Sequence, residues 1–229
     1  MIIAIDGPSG AGKSTLGKRL ATELGLLYLD TGAMYRAAAL AVLDRNGNIY
    51  DVDETTATVI KTNVELSGSP DNLHVFLNGL EISGKIRTPE VSQAASLIST
   101  LPAVRRILVE RQKQLGLNAP HGCVLDGRDI GTVVFPNADV KFFLTAAPES
   151  RAARRFAELK EKHVETTLKE TLHDIIERDT RDSSRHDSPL KIADDAIVID
   201  STALSTEQVF ETMLAVVRER QKSVSALQS

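Results

Sequence analysis

The sequence predicts an α/β protein: a five-stranded parallel sheet with helices on both faces, a small antiparallel β-rich insertion and a polar helical segment. Three observations predict it. Short apolar runs alternate with segments of helical period, which is the pattern of parallel strands covered on both sides. A glycine-rich loop lies directly between the first such run and the first helical segment. Two stretches, near 63–83 and 149–187, break the alternation in different ways.

Ile2-Ile3-Ala4-Ile5-Asp6 reads as a fully buried strand, and Leu16, Leu20 and Leu24 form the core face of the helix that follows. Leu26 to Asp30 is a second strand, followed by an alanine-rich helix through about Arg45. Asn63 to Ser83 alternates apolar and polar residues between Gly, Pro, Asp and Asn, which predicts about three short antiparallel strands. Val91 to Ser96 runs into a helix bearing Arg105 and Arg106. Cys123–Asp126, Val140–Leu144 and Ala196–Asp200 complete the five core strands, each separated from the next by helix or loop. Residues 149–187 form a polar helical stretch; between Arg151 and Asp187, nine Lys plus Arg meet nine Asp plus Glu, so a solvated hairpin is the simplest reading.

Composition excludes several classes. Over 229 residues, 27 basic side chains against 31 acidic give a net charge of −4, which offers no basic field for nucleic acid. Nine aromatic residues, none of them Trp, make base-stacking platforms an unlikely design. A lone cysteine, Cys123, forms no internal disulfide and fits a reducing cytosol as a small buried hydrophobe. The longest apolar stretch, Ala37 to Leu43, falls far short of a membrane span, and Asp6 interrupts the N-terminal apolar run where a signal peptide would need continuity. The expectation is a cytoplasmic protein with no membrane partner. The five histidines lack metal-ligand spacing and read as surface residues.

Gly7-Pro8-Ser9-Gly10-Ala11-Gly12-Lys13-Ser14 matches the P-loop pattern between strand and helix, so the fold is expected to be of the P-loop NTPase type. Glycines let successive amides point inward around phosphate, and the helix N-terminus adds its positive end. Lys13 supplies a charge for the β- and γ-phosphates, and the Ser14 hydroxyl can hold Mg²⁺. No Asn-Lys-x-Asp guanine-reading motif is present, and the chain is short for an ATP-driven machine. A small-molecule kinase follows by fold analogy. Its second substrate has three candidate binding constellations: 29–36, ending the second strand; 91–106; and 124–132, ending the third core strand. A non-catalytic nucleotide-binding regulator is the rival, but it would need no second phosphate site.

The blocks GPSGAGKST (7–15), YLDTGAMYR (28–36), IRTPEVSQAAS (86–96), LDGRDIGTVVFPNADVKFFL (125–144), RAARR (151–155), IERDTRDSSRHDSPL (176–190) and AIVIDST (196–202) closely resemble bacterial-type cytidylate kinases, members of the nucleoside monophosphate kinases. The resemblance runs from residue 2 to about 203, and the insertion near 63–83 matches the β-rich element of the bacterial type. It implies transfer of the ATP γ-phosphoryl group to CMP or dCMP with Mg²⁺ as cofactor, by a monomer. It also implies one domain over 1–229: 1–36, 85–150 and 188–229 as core, about 37–84 as the monophosphate-binding region and about 151–187 as the lid. By similarity, Gly7 through Thr15 hold the donor, Thr31, Arg36, Arg128 and Arg185 the acceptor phosphate, Ser96, Arg105 and Asp129 the cytosine, and Asp182 the ribose. Lys13, Arg128, Arg181 and Arg185 would act in the transfer, and Arg151, Arg154 or Arg155, with Arg178, would belong to the lid. A surface ion-pair role stays open for each single lid arginine. Asp126 either supports the metal through water or simply ends its strand. Thr31 stands where Ser is also common in the family, and both keep the hydroxyl.

Overall fold

The computed structural model describes residues 1–161 and 163–228. Five parallel strands, β1 (Ile2–Asp6), β2 (Leu27–Asp30), β6 (Cys123–Gly127), β7 (Val140–Thr145) and β8 (Ile197–Asp200), form one sheet in the order β2-β6-β1-β7-β8. Their apolar runs are long enough to span the sheet once and end at Asp6, Asp30, Gly127, Thr145 and Asp200, small or polar residues where loops must leave. β1 lies at the centre, with Ile5 opposite Asp126 of β6 on one side and Phe142 of β7 on the other. Central placement buries Ile3, Ala4 and Ile5 completely.

Helices cover both faces. On one, α1 (Lys13–Leu24) and α8 (Thr206–Gln228) pack on β1 and β7 through Leu16, Leu20, Phe210, Met213 and Val217. On the other, α5 (Pro102–Leu117) lies near Cys123, Leu125 and a π-helical turn at Ile130–Val134, with Leu115 and Val109 against that cluster. The expected helix after Val91 is in fact two: α4 (Pro89–Ile98) ends at Ser99, and Pro102 starts α5 because it cannot donate to a preceding turn.

A separate apolar cluster joins α2 (Thr31–Leu43), α4, α3 (Val52–Lys61) and the insertion. The alanines of α2 lie against Ala94 and Ala95 of α4 in this cluster, small side chains that let two helices approach closely. The insertion has the expected three antiparallel strands: β3 (Val64–Gly68), β4 (Leu73–Leu77) and β5 (Leu80–Glu81). Val64, Val75 and Leu77 face inward, so the insertion is glued to α2 rather than to the main sheet. Residues 149–187 are two helices, α6 (Pro148–Glu161) and α7 (Leu168–Ser184), the second started by a Thr167–Glu170 capping box. Among the described residues no helix is long and apolar enough to cross a membrane.

One buried carboxylate fixes the end of β1. Asp6 accepts from Ile130 N at 2.8 Å and Gly131 N at 2.7 Å, tying the central strand to the π-helical turn that follows β6. Burial pushes its pKa up to about 6, against the pull of those two amides. This lies above the ordinary 3.8, so the stabilisation from Asp6 is full below about pH 4 and is lost as pH rises through about 6. Asp6→Ala is expected to destabilise by about 2–4 kcal/mol, since two buried amides lose their acceptor. Urea titrations should show this gap narrowing from pH 4 to pH 7; a gap that widens over that range contradicts the assignment.

Candidate active site

The loop between β1 and α1 can turn only because of its glycines. Gly7 has φ of 146°, and a Cβ there would stand 2.0 Å from the Leu144 carbonyl oxygen of β7. Gly12, the residue before α1, brings no side chain to satisfy the first amides of the helix, so these stay available to an anion. Lys13 folds back over the loop and donates to Pro8 O at 2.7 Å. Burial, with the Arg128 guanidinium nearby, holds its amine well below the usual lysine range. A phosphate beside it would reverse that pressure.

Next to the loop lies a polar node at the end of β6. Ser14 Oγ donates to Asp126 Oδ2 at 2.7 Å, and Tyr28 OH to Oδ1 at 2.9 Å. Thr31 Oγ1 donates to the Asp126 carbonyl at 2.6 Å. Burial, then the neighbouring Asp30 charge, raises the Asp126 pKa. A hydroxyl and a carboxylate at hydrogen-bonding distance are hard oxygen donors that suit Mg²⁺, which takes few protein ligands beside phosphate and water. Among the described residues no cluster of three His, Cys, Asp or Glu could hold a metal alone. A Cβ at Gly127 would meet Thr31 Oγ1 at 2.9 Å and Ile130 Cδ1 at 2.7 Å, so any larger residue would have to shift those side chains.

Across the cleft, arginines are held by carboxylates. Asp30 caps α2 by accepting from Ala33 N at 2.7 Å and holds Arg36 Nη2 at 3.0 Å. Arg128 Nε donates to Asp182 Oδ2 of α7 at 2.7 Å. Asp182 is buried, which opposes its charge, yet Arg128 and Arg178 hold its pKa below the usual value. Asp129 pairs with the buried Arg105, and Arg185 Nη2 stands 3.8 Å from its other oxygen. That nitrogen of Arg185 is buried without a hydrogen-bond partner, as is Nε of Arg178. Burial, then Arg128, lowers the Arg178 pKa to about 10. The site thus has spare guanidinium donors facing a region already crowded with positive charge.

One cleft of about 700 Å³ runs from Gly12 and Lys13 past Asp126, Arg128 and Arg178 to Asp129, Arg105 and Arg185. It also takes in Thr31, Arg36 and Asp182, so most of the expected site residues converge. Gly7, Pro8, Ser96 and Arg181 do not line it; Arg181 Nη1 donates to Ser96 Oγ at 2.7 Å. Arg154 and Arg155 line the cleft, whereas Arg151 is buried against the loop backbone. Arg87 and residues 204–206, which no motif marks as binding residues, also lie on the cleft wall, as does Tyr35 of the 29–36 segment. Arg87 stands 3.8 Å from Asp30; its only signal in the sequence is a basic residue directly before the Thr88-Pro89 helix start.

A phosphate loop at the end of a central parallel strand, opening into an arginine-walled cleft, defines a P-loop phosphotransferase. The gluconokinase of Sinorhizobium meliloti shares this fold, with a TM-score of 0.52 at 13% identity over 100% of this chain and 97% of that one. The family model for cytidylate kinase matches residues 3–219, and the chain belongs to the cytidylate kinase family. Cytidylate kinase of Caldanaerobacter subterraneus is 48% identical over 96% of both chains. That of Thermosipho melanesiensis is 48% identical over 96% of this chain and 98% of its own, and that of Caldicellulosiruptor bescii 47% over 93% of each.

Gly7→Ala tests the loop geometry. Its Cβ cannot coexist with the Leu144 carbonyl, so stability should fall by about 2 kcal/mol or more, roughly 4–8 °C in Tm. Added ATP with Mg²⁺ should raise the Tm of the parent chain and not of the variant. Equal protection of both would show that the loop tolerates a side chain.

Proposed function

We propose that this chain transfers the γ-phosphoryl group of ATP to CMP or dCMP, giving ADP and CDP or dCDP. The observation that carries the reading is Asp129. It is a buried carboxylate that lines the same cleft as Lys13 and is held by Arg105 and Arg185, so a nucleotide whose phosphate faces the loop would present its base to it. A carboxylate accepts from the cytosine 4-amino group; uracil presents an acceptor oxygen there, and two facing lone pairs are costly when buried.

In this reading, Gly7, Pro8, Ser9, Gly10, Ala11, Gly12, Lys13, Ser14 and Thr15 hold the donor phosphates. Thr31, Arg36, Arg128 and Arg185 hold the acceptor phosphate, Arg105 and Asp129 the base, with Ser96 once Arg181 releases it, and Asp182 the ribose. An acceptor phosphate oxygen attacks the γ-phosphorus, the bond to the β–γ bridging oxygen breaks, and ADP leaves with that electron pair. Lys13, Arg128 and Arg185 line the cleft and neutralise the charge that spreads over the transferred group, with Arg178 beside them on the substrate; Arg181 would join them only on leaving Ser96. Ser14 and Asp126 would hold Mg²⁺, which supplies further charge neutralisation at the donor phosphates when bound. Arg36 and Arg128 each have a carboxylate partner near 3 Å, so substrate phosphate can replace that partner without a large search for position. The reading also takes the enzyme as a cytoplasmic monomer with no nucleic-acid or membrane partner, and takes 37–84 and 151–187 as its monophosphate-binding region and lid.

With ATP and Mg²⁺, purified protein should phosphorylate CMP and dCMP much faster than UMP or AMP; equal rates on AMP, or no transfer to any monophosphate, would sink the proposal. Lys13→Ala should lower kcat by several orders of magnitude while circular dichroism stays unchanged. Asp129→Asn keeps the volume beside Arg105 and should raise KM for CMP more than for UMP, by about 10-fold or more. A uniform rise for both bases would make Asp129 a support for Arg105 and Arg185 instead.

A further inference from the structure

Arg151 shares α6 with Arg154 and Arg155 but has a different environment. Its side chain is 4% exposed and does not reach the cleft wall. Nε donates to the Ala146 carbonyl, just past the end of β7, at 2.8 Å. Nη1 donates to the Ser9 carbonyl of the phosphate loop at 3.0 Å and forms an ion pair with Asp179 Oδ2 of α7 at 2.7 Å. The loop rests directly on the first turn of α6: a Cβ at Gly10 would lie 3.1 Å from Arg151 Cβ.

Asp179 stands one turn before Asp182 on α7, and Asp182 pairs with Arg128. The guanidinium of Arg151 therefore closes a chain of contacts from the donor loop, through α7, to the end of the acceptor-side strand. Moving Arg151 onto a phosphate would leave the buried Ala146 carbonyl, the part-buried Ser9 carbonyl and a carboxylate without this donor. The other oxygen of Asp179 is buried with no hydrogen-bond partner, so the pair with Arg151 is what holds that carboxylate.

We propose that Arg151, with Asp179, is a positioning pair that fixes the phosphate loop to α7 and so sets the spacing of donor and acceptor phosphates, and that Arg151 is a ligand of neither. The proposal rests on the phosphoryl-transfer reading above for its kinetic readout alone. Arg151→Lys keeps the charge but cannot span Ser9, Ala146 and Asp179 together; Asp179→Asn keeps the shape and removes the charge. Each should lower kcat with ATP and CMP by about 10- to 100-fold, the cost of a misplaced reacting group. KM for ATP should change by less than about threefold, and the double variant should be no worse than the poorer single one.

If Arg151 instead binds phosphate directly, Arg151→Lys will raise KM for ATP strongly, while Asp179→Asn frees the guanidinium and leaves kcat unchanged; that result overturns the proposal. A fall in Tm with unchanged kcat in both variants does so as well, because it would make the pair structural only. Amide hydrogen exchange provides a readout independent of the reaction. Amides of residues 9–12 should exchange faster in both variants without nucleotide, even if the parent chain phosphorylates no CMP. Unchanged exchange rejects the pair's hold on the loop, and lack of CMP turnover rejects the function reading alone.

Discussion

The site depends on the pairing of buried and half-buried arginines with carboxylates. A guanidinium stays charged at any accessible pH, so taking one out of water demands a compensating charge or phosphate. Arg36 has Asp30, Arg105 has Asp129, Arg128 has Asp182 and Arg151 has Asp179. Each of these acids sits where an element ends or turns: Asp30 at the end of β2, Asp129 at the start of the π-helical turn, Asp179 and Asp182 in the last turns of α7. The fold supplies these positions because parallel strands deliver all their C-terminal ends to one edge of the sheet.

Pairing resolves the charge balance. A net of −4 argues against a polyanion partner, yet it says nothing about a mononucleotide, whose few charges are met locally. The acids that offset the arginines in the total are the same ones that orient them in the cleft. Arg178 shows what happens where pairing is incomplete: its pKa is pushed down to about 10, with Arg128 among the causes, and its Nε lacks a hydrogen-bond partner. Lys13 is under similar pressure from burial and Arg128. A phosphate anion bound between them would relieve both, so the two cations favour an anionic ligand at this point of the cleft.

How much of this is legible in the sequence follows from the range of each interaction. The five strands are placed to within about a residue, because fully buried parallel strands leave continuous apolar runs. The phosphate loop and the alternating insertion are local patterns and read equally well. Helix α3 has no strong apolar stripe, only Thr55, Thr58 and Val59 facing inward, so it is visible mainly through its Asp51 cap. The break at Pro102 is a local signal that a longer helical pattern conceals. Arg128 and Asp182 are 54 residues apart, and Arg151 and Ser9 are 142 apart; no periodicity records such partners. That Arg151 turns inward while Arg154 faces the cleft depends on which turn of α6 lies under the loop.

The two halves of the cleft are held by different means, and this has a consequence for catalysis. The donor loop is set by backbone constraints: Gly7 admits no side chain, and Asp6 ties β1 to the turn after β6. The arginine-lined wall is set by side chains on α2, α5 and α7, helices outside the central sheet that are tied to the strand ends by the pairs Arg36–Asp30, Arg105–Asp129 and Arg128–Asp182. Backbone constraints keep their geometry with or without ligand, whereas an ion pair can exchange a carboxylate for a phosphate at similar energy. The reacting groups therefore approach from a fixed side and an adjustable one. A contact that spans the two, as Arg151 does between Ser9 and α7, limits that adjustment to distances at which transfer can occur.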